Sequence, residues 1–374
     1  MKSTKKVSCS SYGVSCLDNV LNDIALEIER RWKCFDYCYR IFPETVLGVT
    51  GEYGHFESLD IFDLLDHFSN YSKRSIQTIS SFSDLQFKLY DNGIFFVELL
   101  IWTGSDTSIH DHGFTGVLYQ LSGESIVSTY SFMEQNKVSQ NITLGKLKLK
   151  DASYSSSGSY RVIPPGREEV HMVTHIDSPT ISLIIRTHDI PELSPQLNYF
   201  PRNLMLSHSE LDVLYRKKIR LVNILFEVDS GKARLALKDL TTGISTSELF
   251  WLLVKLSSFF FDPNNLELLK DIVCSSSEES ERLTRESIVS TVAFMRSSSY
   301  LLNVVKPNIT DNEDRKVISA IASSFSMNEK KLIFQKLGIG HSKDFDERIF
   351  KKLTEYEKTK YCASVMMLSG ARAK

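Results

Sequence analysis

The stretch that decides the fold is "SIHDHGFTGVLYQLSG", residues 108–123, which places two histidines one residue apart between two apolar runs. Side chains two residues apart on a β-strand point to the same face, so His110 and His112 would project together while Asp111 points the other way. Two imidazoles on one strand form a preformed pair of metal ligands that suits iron, zinc, copper or nickel. The alternative is a pair of solvated histidines at the end of a strand.

A second stretch, "YRVIPPGREEVHMVTH", residues 160–175, offers a third ligand. Pro165 can fix φ at a turn and Gly166 can supply the positive φ that a tight reversal needs. Such a turn would bring His171 to a defined position in a barrel. His175 shares the strand face of His171 but lies roughly 13 Å further along an extended strand, so we expect it beside the ligands or at the rim, not on the ion.

The surrounding sequence predicts three regions. Between about residues 85 and 188, short β-rich runs such as "IFFVELLIW" and "TISLIIRT" alternate with turn residues, a texture typical of a sandwich or jelly-roll barrel. Before and after this region, apolar residues recur at helical spacing, and Ser58 is a plausible N-cap of one early helix. The predicted organisation is an N-terminal helical segment at 1–80, a barrel at 81–195 and an all-helical domain at 196–374.

Composition and charge exclude some functions. The chain of 374 residues is 42% hydrophobic and 24% charged, with a net charge of -2, which is ordinary for a folded protein and gives no reason to expect nucleic acid as a partner. The first residues include lysines but no continuous apolar segment, and no run is long and uncharged enough to span a bilayer. We therefore expect a cytoplasmic protein without a membrane partner.

The two histidine stretches resemble a known family. "GSDTSIHDHGFTGVLYQLSG" is similar to the first metal motif of the cupin superfamily, and "IPPGREEVHMV" is similar to the second. Within the superfamily the resemblance is closest to the cysteine dioxygenase-like thiol dioxygenases, and it covers roughly residues 61–189. It implies an α+β chain with a cupin (jelly-roll) β-barrel between helical flanks, in which His110, His112 and His171 bind Fe(II).

The sequence departs from the usual cupin pattern at the fourth ligand. Most cupins place a glutamate four or five residues after the second histidine, where this chain has Gly116 and Val117. Its absence suits the three-histidine site of the thiol dioxygenases. Three neutral ligands would leave the 2+ charge of Fe(II) to be balanced by an anionic substrate, such as a thiolate. The family's cross-linking cysteine also falls on Val117, so that modification cannot form.

The substrate-binding residues of the family are altered as well. The late strand "SLIIR" retains Ser182 but has Ile184 and Arg186 where the family has histidine and tyrosine, and the early strand offers only Lys88 for the family's arginine. Strand alternation puts Ser182 and Arg186 on one face. If that face is inward, Arg186 is the best candidate to bind a substrate carboxylate, because its planar fork makes two contacts. The alternative is an outward arginine at a strand end.

Two tyrosines and the remaining histidines complete the candidate residues. Tyr119 and Tyr160 could place hydroxyls in the pocket as catalytic proton donors or hydrogen-bond partners, although tyrosines in β-rich sequence are often packing residues. The other five histidines lack ligand spacing, and we expect them to be structural: His55, His67, His188, His208 and His341.

The sequence therefore predicts a mononuclear non-haem iron oxygenase that acts on a small thiol or amino-acid-like substrate with O2. Two alternatives stay open. One is a cupin isomerase or lyase that uses Mn, Ni or Zn, and the other is a small-molecule sensor without catalysis. The C-terminal helical domain fits a lid, a homodimerisation module or a docking domain, and the sequence does not decide among these.

Overall fold

The computed structural model describes residues 15–54, 56, 76–77, 82–104, 106–201, 203–207, 213–276, 278–340 and 345–368. The helix predicted to begin at Ser58 lies outside these residues. So do four of the histidines predicted to be structural: His55, His67, His208 and His341.

The strands of the described chain all fall between Leu85 and Ser207. They are β1 Leu85–Asp91, β2 Phe95–Trp102, β3 Ile109–His112, β4 Gly116–Ser122, β5 Ser125–Lys137, β6 Ile142–Ser155, β7 Tyr160–Ile163, β8 Gly166–His175, β9 Thr180–Thr187, β10 Leu197–Phe200 and β11 Leu204–Ser207.

These strands form two antiparallel layers. One is a five-stranded sheet in the order β1-β2-β9-β4-β7, and the other closes on itself in the order β10-β11-β6-β5-β8-β3. Strands from the early and late parts of the region alternate between the layers, as in a jelly roll. The predicted α+β class, a jelly-roll barrel with helical flanks, is confirmed. The closed layer continues to Ser207, past the boundary predicted at residue 195.

The outer face of the five-stranded sheet packs against two N-terminal helices, α1 Ser15–Lys33 and α2 Phe42–Glu52. Ile28 of α1 and Val46 of α2 share a buried cluster with Leu99 of β2 and other outward-facing strand residues. Because side chains alternate across a strand, the neighbouring residues of β2, β4 and β9 face the opposite way, toward the barrel interior. The helices therefore fix which face of this sheet lines the interior.

The C-terminal part is helical. Its α-helices are α3 Val213–Val228, α4 Ser230–Thr241, α5 Thr246–Lys255, α6 Ser257–Phe260, α7 Leu266–Cys274, α8 Glu279–Tyr300, α9 Asn312–Ala322, α10 Met327–Leu337, α11 Phe345–Phe350 and α12 Glu355–Leu368. Sequence signals set several ends: Ser245 and Glu248 form a capping box at the start of α5, and Gly338 ends α10 with φ 63.

The helical part packs directly on the closed layer of the barrel. Ile333 of α10 shares a buried cluster with Ile126 and Leu149, and Ser323 Oγ donates a hydrogen bond of 2.7 Å to Thr174 Oγ1 on β8. The buried Lys306 Nζ donates a hydrogen bond to the carbonyl oxygen of His175. The helical part therefore packs on β5 and β6 and makes two hydrogen bonds to the end of β8.

One helical stretch, Glu279–Asn308, is long and apolar enough to cross a membrane by length and composition alone. Half of its most apolar window is buried inside the fold. Ile288 and Val292 of this stretch lie in the core of the helical part, as in the core helix of many folded domains. The length and composition of this one stretch are therefore weak evidence for a membrane span.

Candidate metal centre

The structure brings His110, His112 and His171 together inside the barrel. β3 and β8 run antiparallel with His110 directly opposite His171, and the side chain of His112 points to the same face as that of His110. All three side chains are buried, and one ring nitrogen from each lies within 4.8 Å of the others. This spacing lets a single metal ion contact all three rings.

Hydrogen bonds orient two of the rings. His110 Nδ1 donates to the carbonyl oxygen of Ser108 at 2.7 Å, and His171 Nδ1 donates to Glu169 Oε1 at 2.8 Å. Such outer partners fix the tautomer of a ligating histidine and leave its other nitrogen free to bind metal. In the described structure, His110 Nε2 and His112 Nδ1 are buried without a hydrogen-bond partner. A bound cation would satisfy such orphaned nitrogens, so the group fits a metal ion.

Burial also sets the protonation state of the ligands. It lowers the pKa of His110 to about 3 and the pKa of His112 well below its ordinary value, and the neighbouring histidines reinforce both shifts. Both imidazoles are therefore neutral near pH 7, which is the form that binds metals.

Glu169 contacts the histidine group directly and was not among the residues predicted from the sequence. Besides accepting the hydrogen bond from His171, it pairs with Arg161 at 2.7 Å. Burial alone would raise the pKa of Glu169, but its contacts with His171 and Arg161 outweigh burial and lower it. The carboxylate therefore stays charged beside His171. The sequence contains one signal for this contact. Glu169 lies two residues before His171 on the same strand, so the two side chains share a face.

The three histidines open onto a cavity of about 590 Å³ between the two layers. Arg186 lines this cavity, with its guanidinium 3.7 Å from the ring centroid of Phe114 and 4.6 Å from that of Phe96. Among the residues that the structure describes, Arg186 makes no hydrogen bond or ion pair. Burial lowers the pKa of Arg186, while Asp189 and Glu98 oppose that shift. The cavity thus contains a guanidinium whose donors are available to a ligand.

Ser182 and His175 also line the cavity. Ser182 Oγ donates to Gln120 Oε1 at 3.2 Å. The ring of His175 is not in the metal group and stacks on Trp102 with centroids 4.8 Å apart, and its Nδ1 lies 3.0 Å from Ser125 Oγ. Burial lowers the pKa of His175 to about 3, with a further contribution from Lys306.

The two tyrosines lie elsewhere, which corrects the predicted catalytic role for both. Tyr119 packs on the helical side of β4, where its hydroxyl hydrogen-bonds Thr50 of α2 at 2.7 Å. Tyr160 is paired with Tyr119 across β4 and β7 and is 49% exposed. Neither tyrosine lines the cavity, because strand alternation places both on the face opposite to Leu118 and Gln120. His188, predicted to be structural, hydrogen-bonds Asp91 at 2.8 Å and also lines the cavity.

Fold and site together define a jelly-roll barrel with a candidate three-histidine metal centre. The sequence matches no protein-family model and no curated protein. Matching solved structures include a cupin superfamily protein from Desulfitobacterium hafniense, at 11% identity over 30% of this chain and 84% of that chain with a TM-score of 0.20. A cupin-2 domain protein from Shewanella frigidimarina matches at 13% identity over 36% of this chain and 98% of that chain, with a TM-score of 0.22. Hydroquinone 1,2-dioxygenase from Sphingomonas sp. matches at 8% identity over 29% and 68% of the two chains, with a TM-score of 0.22.

Proposed function

We propose that the protein is a mononuclear non-haem iron oxygenase that uses O2 to oxidise a small thiol or amino-acid-like substrate. The observation that supports it most is that three buried histidines converge on a cavity that also contains the guanidinium of Arg186, which has no ion-pair partner among the described residues. Three neutral ligands leave the two positive charges of Fe(II) uncompensated, and Arg186, near the carboxyl groups of Glu98 and Asp189, adds a further positive charge. The site therefore favours an anionic substrate, such as a thiolate that also carries a carboxylate.

Each protein group has a distinct part in this proposal. Fe(II) held by His110, His112 and His171 would supply the redox chemistry with O2. Glu169 holds the ring of His171 in its ligating tautomer through the hydrogen bond of 2.8 Å. Arg186 binds the carboxylate of the substrate. The apolar cavity walls exclude water from the reacting groups: Leu100, Leu118, Phe114, Ile163 and Ile184.

A sensor is the second candidate function, and a hydrogen bond between the helical part and the end of β8 favours it. Lys306 of the helical part donates to the carbonyl oxygen of His175, and His175 lines the ligand cavity. A ligand that shifts this strand would also shift the helical part.

The same three histidines suit Mn, Ni or Zn in an isomerase or lyase.

We also propose a cytoplasmic location and a homodimer formed through the helical part, with no nucleic-acid or membrane partner. Support for the homodimer comes from α3, where five apolar side chains are more than half exposed. Four of the five recur at helical spacing: Leu214, Leu221, Ile224 and Val228. A second copy could bury this stripe.

The test is metal analysis of anaerobically purified protein together with O2 uptake on a panel of thiols. We expect about one iron per chain and thiol-dependent O2 consumption that disappears in His171→Ala but persists in Tyr160→Phe, a matched change outside the cavity. Stoichiometric metal without O2 uptake would favour the isomerase or the sensor. A wild-type protein that binds no metal at the three-histidine group would overturn the proposal.

A further inference from the structure

The cavity has chemically different ends. Arg186 and Ser182 both face it from β9, and four residues of extended strand separate them by roughly 13 Å. The Arg186 end carries a guanidinium near the carboxyl groups of Asp189 and Glu98. It lies next to the metal ligands, since the Phe114 ring that stacks on Arg186 is 4.5 Å from the ring of His112. This end suits a carboxylate close to the metal.

The opposite end is lined by the uncharged side chains of Trp102, Ser182 and His175, and it contains an unsatisfied polar atom. Lys306 and Asp84 act on His175 from outside this lining. His175 is 2% exposed, its Nδ1 is paired with Ser125, and its Nε2 has no hydrogen-bond partner in the described part of the chain. A buried polar atom without a hydrogen-bond partner costs free energy. Because His175 lines the cavity, its Nε2 indicates a bound ligand that supplies the missing hydrogen bond. Trp102 stacks on the ring and holds it in this position.

The wall between the two ends is apolar except at Glu98, which lies opposite Ile184 and whose pKa is raised by burial. It is formed by Leu100, Leu118 and Ile184 from the five-stranded sheet, with Val127 and Val173 from the closed layer. The cavity volume of about 590 Å³ lies in the range of sites that enclose drug-sized molecules. A compact amino acid bound at the metal and Arg186 would leave the apolar middle and the His175 end without contacts.

We infer that the substrate is an elongated molecule with a carboxylate bound by Arg186, an apolar body, and a hydroxyl or similar neutral polar group bound by His175. Oxidation of this molecule rests on the proposed oxygenase function, whereas its binding in the cavity depends only on Arg186, the apolar wall and His175. Burial keeps the pKa of His175 at about 3, so the ring is neutral and does not select a second carboxylate. A hydroxyl both donates and accepts, and it therefore pairs with Nε2 in either tautomer of His175.

Isothermal titration calorimetry with decanoate and ω-hydroxydecanoate tests this inference. Both probes carry the carboxylate and a flexible apolar chain that can follow the cavity, and they differ only in the terminal hydroxyl. We expect the wild-type protein to bind ω-hydroxydecanoate about tenfold more tightly than decanoate. His175→Phe keeps a ring against Trp102 but lacks the nitrogens, so it should bind both probes equally and retain the wild-type affinity for decanoate.

Two further variants separate the ends of the ligand. Arg186→Leu should weaken both probes by the same factor, and His175→Gln, which keeps a hydrogen-bonding amide, should retain part of the preference for the hydroxyl. Equal binding of the two probes by the wild type, or an unchanged preference in a His175→Phe protein with the wild-type melting temperature, would overturn the inference.

Metal content and thiol-dependent O2 uptake of the same preparations distinguish this inference from the proposed function. A preparation that prefers the hydroxylated probe but neither binds iron nor consumes O2 refutes the proposed function and supports the inferred ligand class. A preparation that oxidises a compact thiol but binds neither probe refutes the inferred ligand class alone.

Discussion

Gly116 lies directly opposite Arg186 in the pairing of β4 with β9, and a Cβ added to Gly116 would lie 2.8 Å from both Cα and Cβ of Arg186. Real Cβ atoms essentially never approach other atoms so closely. In the cupin motif that the sequence resembles, the position of Gly116 is one of those that carry a glutamate ligand. The close approach of β4 and β9 thus excludes a side chain at position 116. The cationic side chain of Arg186 lies on the facing strand, in the cavity wall.

Gly116→Ala should therefore destabilise the protein, because the strands must separate to admit the methyl group. We expect a loss of about 1–3 kcal/mol in the free energy of unfolding, the usual cost of overpacking. Chemical denaturation measures it. Gly48→Ala is the matched control, since an added Cβ there meets no atom within 4 Å and alanine favours the helix in which Gly48 lies. Equal stability of the two variants would contradict the steric argument.

Replacement of any one of His110, His112 and His171 by alanine should abolish stoichiometric metal binding, since each supplies one of three ligand nitrogens. His175→Ala should keep most of the metal, because its ring lies outside this group. Elemental analysis of the purified variants measures the metal. Full metal in His171→Ala would refute the site, and thermal unfolding of metal-free samples shows whether each variant is still folded.

The histidine group could be predicted because a period of two is enough to place His110 and His112 on one face. The face of β4 could not be predicted in the same way. Tyr119 is buried against the N-terminal helices while Leu118 lines the cavity, so both faces of this strand are apolar. Composition does not distinguish a packing face from a cavity face when both are covered, and the tyrosine prediction failed for this reason.

The end of the barrel was equally hard to predict. β10 and β11 contain four residues each, "LNYF" and "LMLS", and complete the closed layer by pairing with β3 and β6. Apolar runs of this length are compatible with strand, helix or loop, so only tertiary contacts decide their structure.

His175 should make the metal-free protein sensitive to acid. Its pKa is about 3 in the folded protein, against an ordinary value of 6.5. Between these two values the unfolded chain binds a proton at this residue and the folded protein does not, so stability falls as the pH falls from about 6.5 toward 3.

We expect this residue to contribute about 1.4 kcal/mol per pH unit within that window. The free energy of unfolding of the wild type should therefore depend more steeply on pH than that of His175→Phe. Urea denaturation of metal-free protein between about pH 6 and pH 4 measures both slopes. Parallel curves would show that His175 is protonated equally in the folded and unfolded states.

Arg186 should select substrates that carry a carboxylate. Its guanidinium lies in the cavity between two aromatic rings, and no described residue neutralises it through an ion pair. Arg186→Lys should weaken catalysis because an ammonium cannot reproduce the two parallel hydrogen bonds of the guanidinium, and Arg186→Leu should do worse. For Arg186→Leu we expect a loss in catalytic efficiency on the order of 2 kcal/mol or more, since the carboxylate would be buried without a partner.

Steady-state O2 uptake by the wild type and both Arg186 variants, with a carboxylate-bearing thiol and with its decarboxylated analogue, measures this selectivity. The variants should lose efficiency with the first substrate and change little with the second, because only the first has a group for Arg186 to bind. Arg40→Leu is the control for loss of a positive charge outside the cavity, where Arg40 is 60% exposed and pairs with Glu168. If both Arg186 variants lose equally with the two substrates, Arg186 does not bind the carboxylate, and its contacts with Phe96 and Phe114 then indicate a packing role.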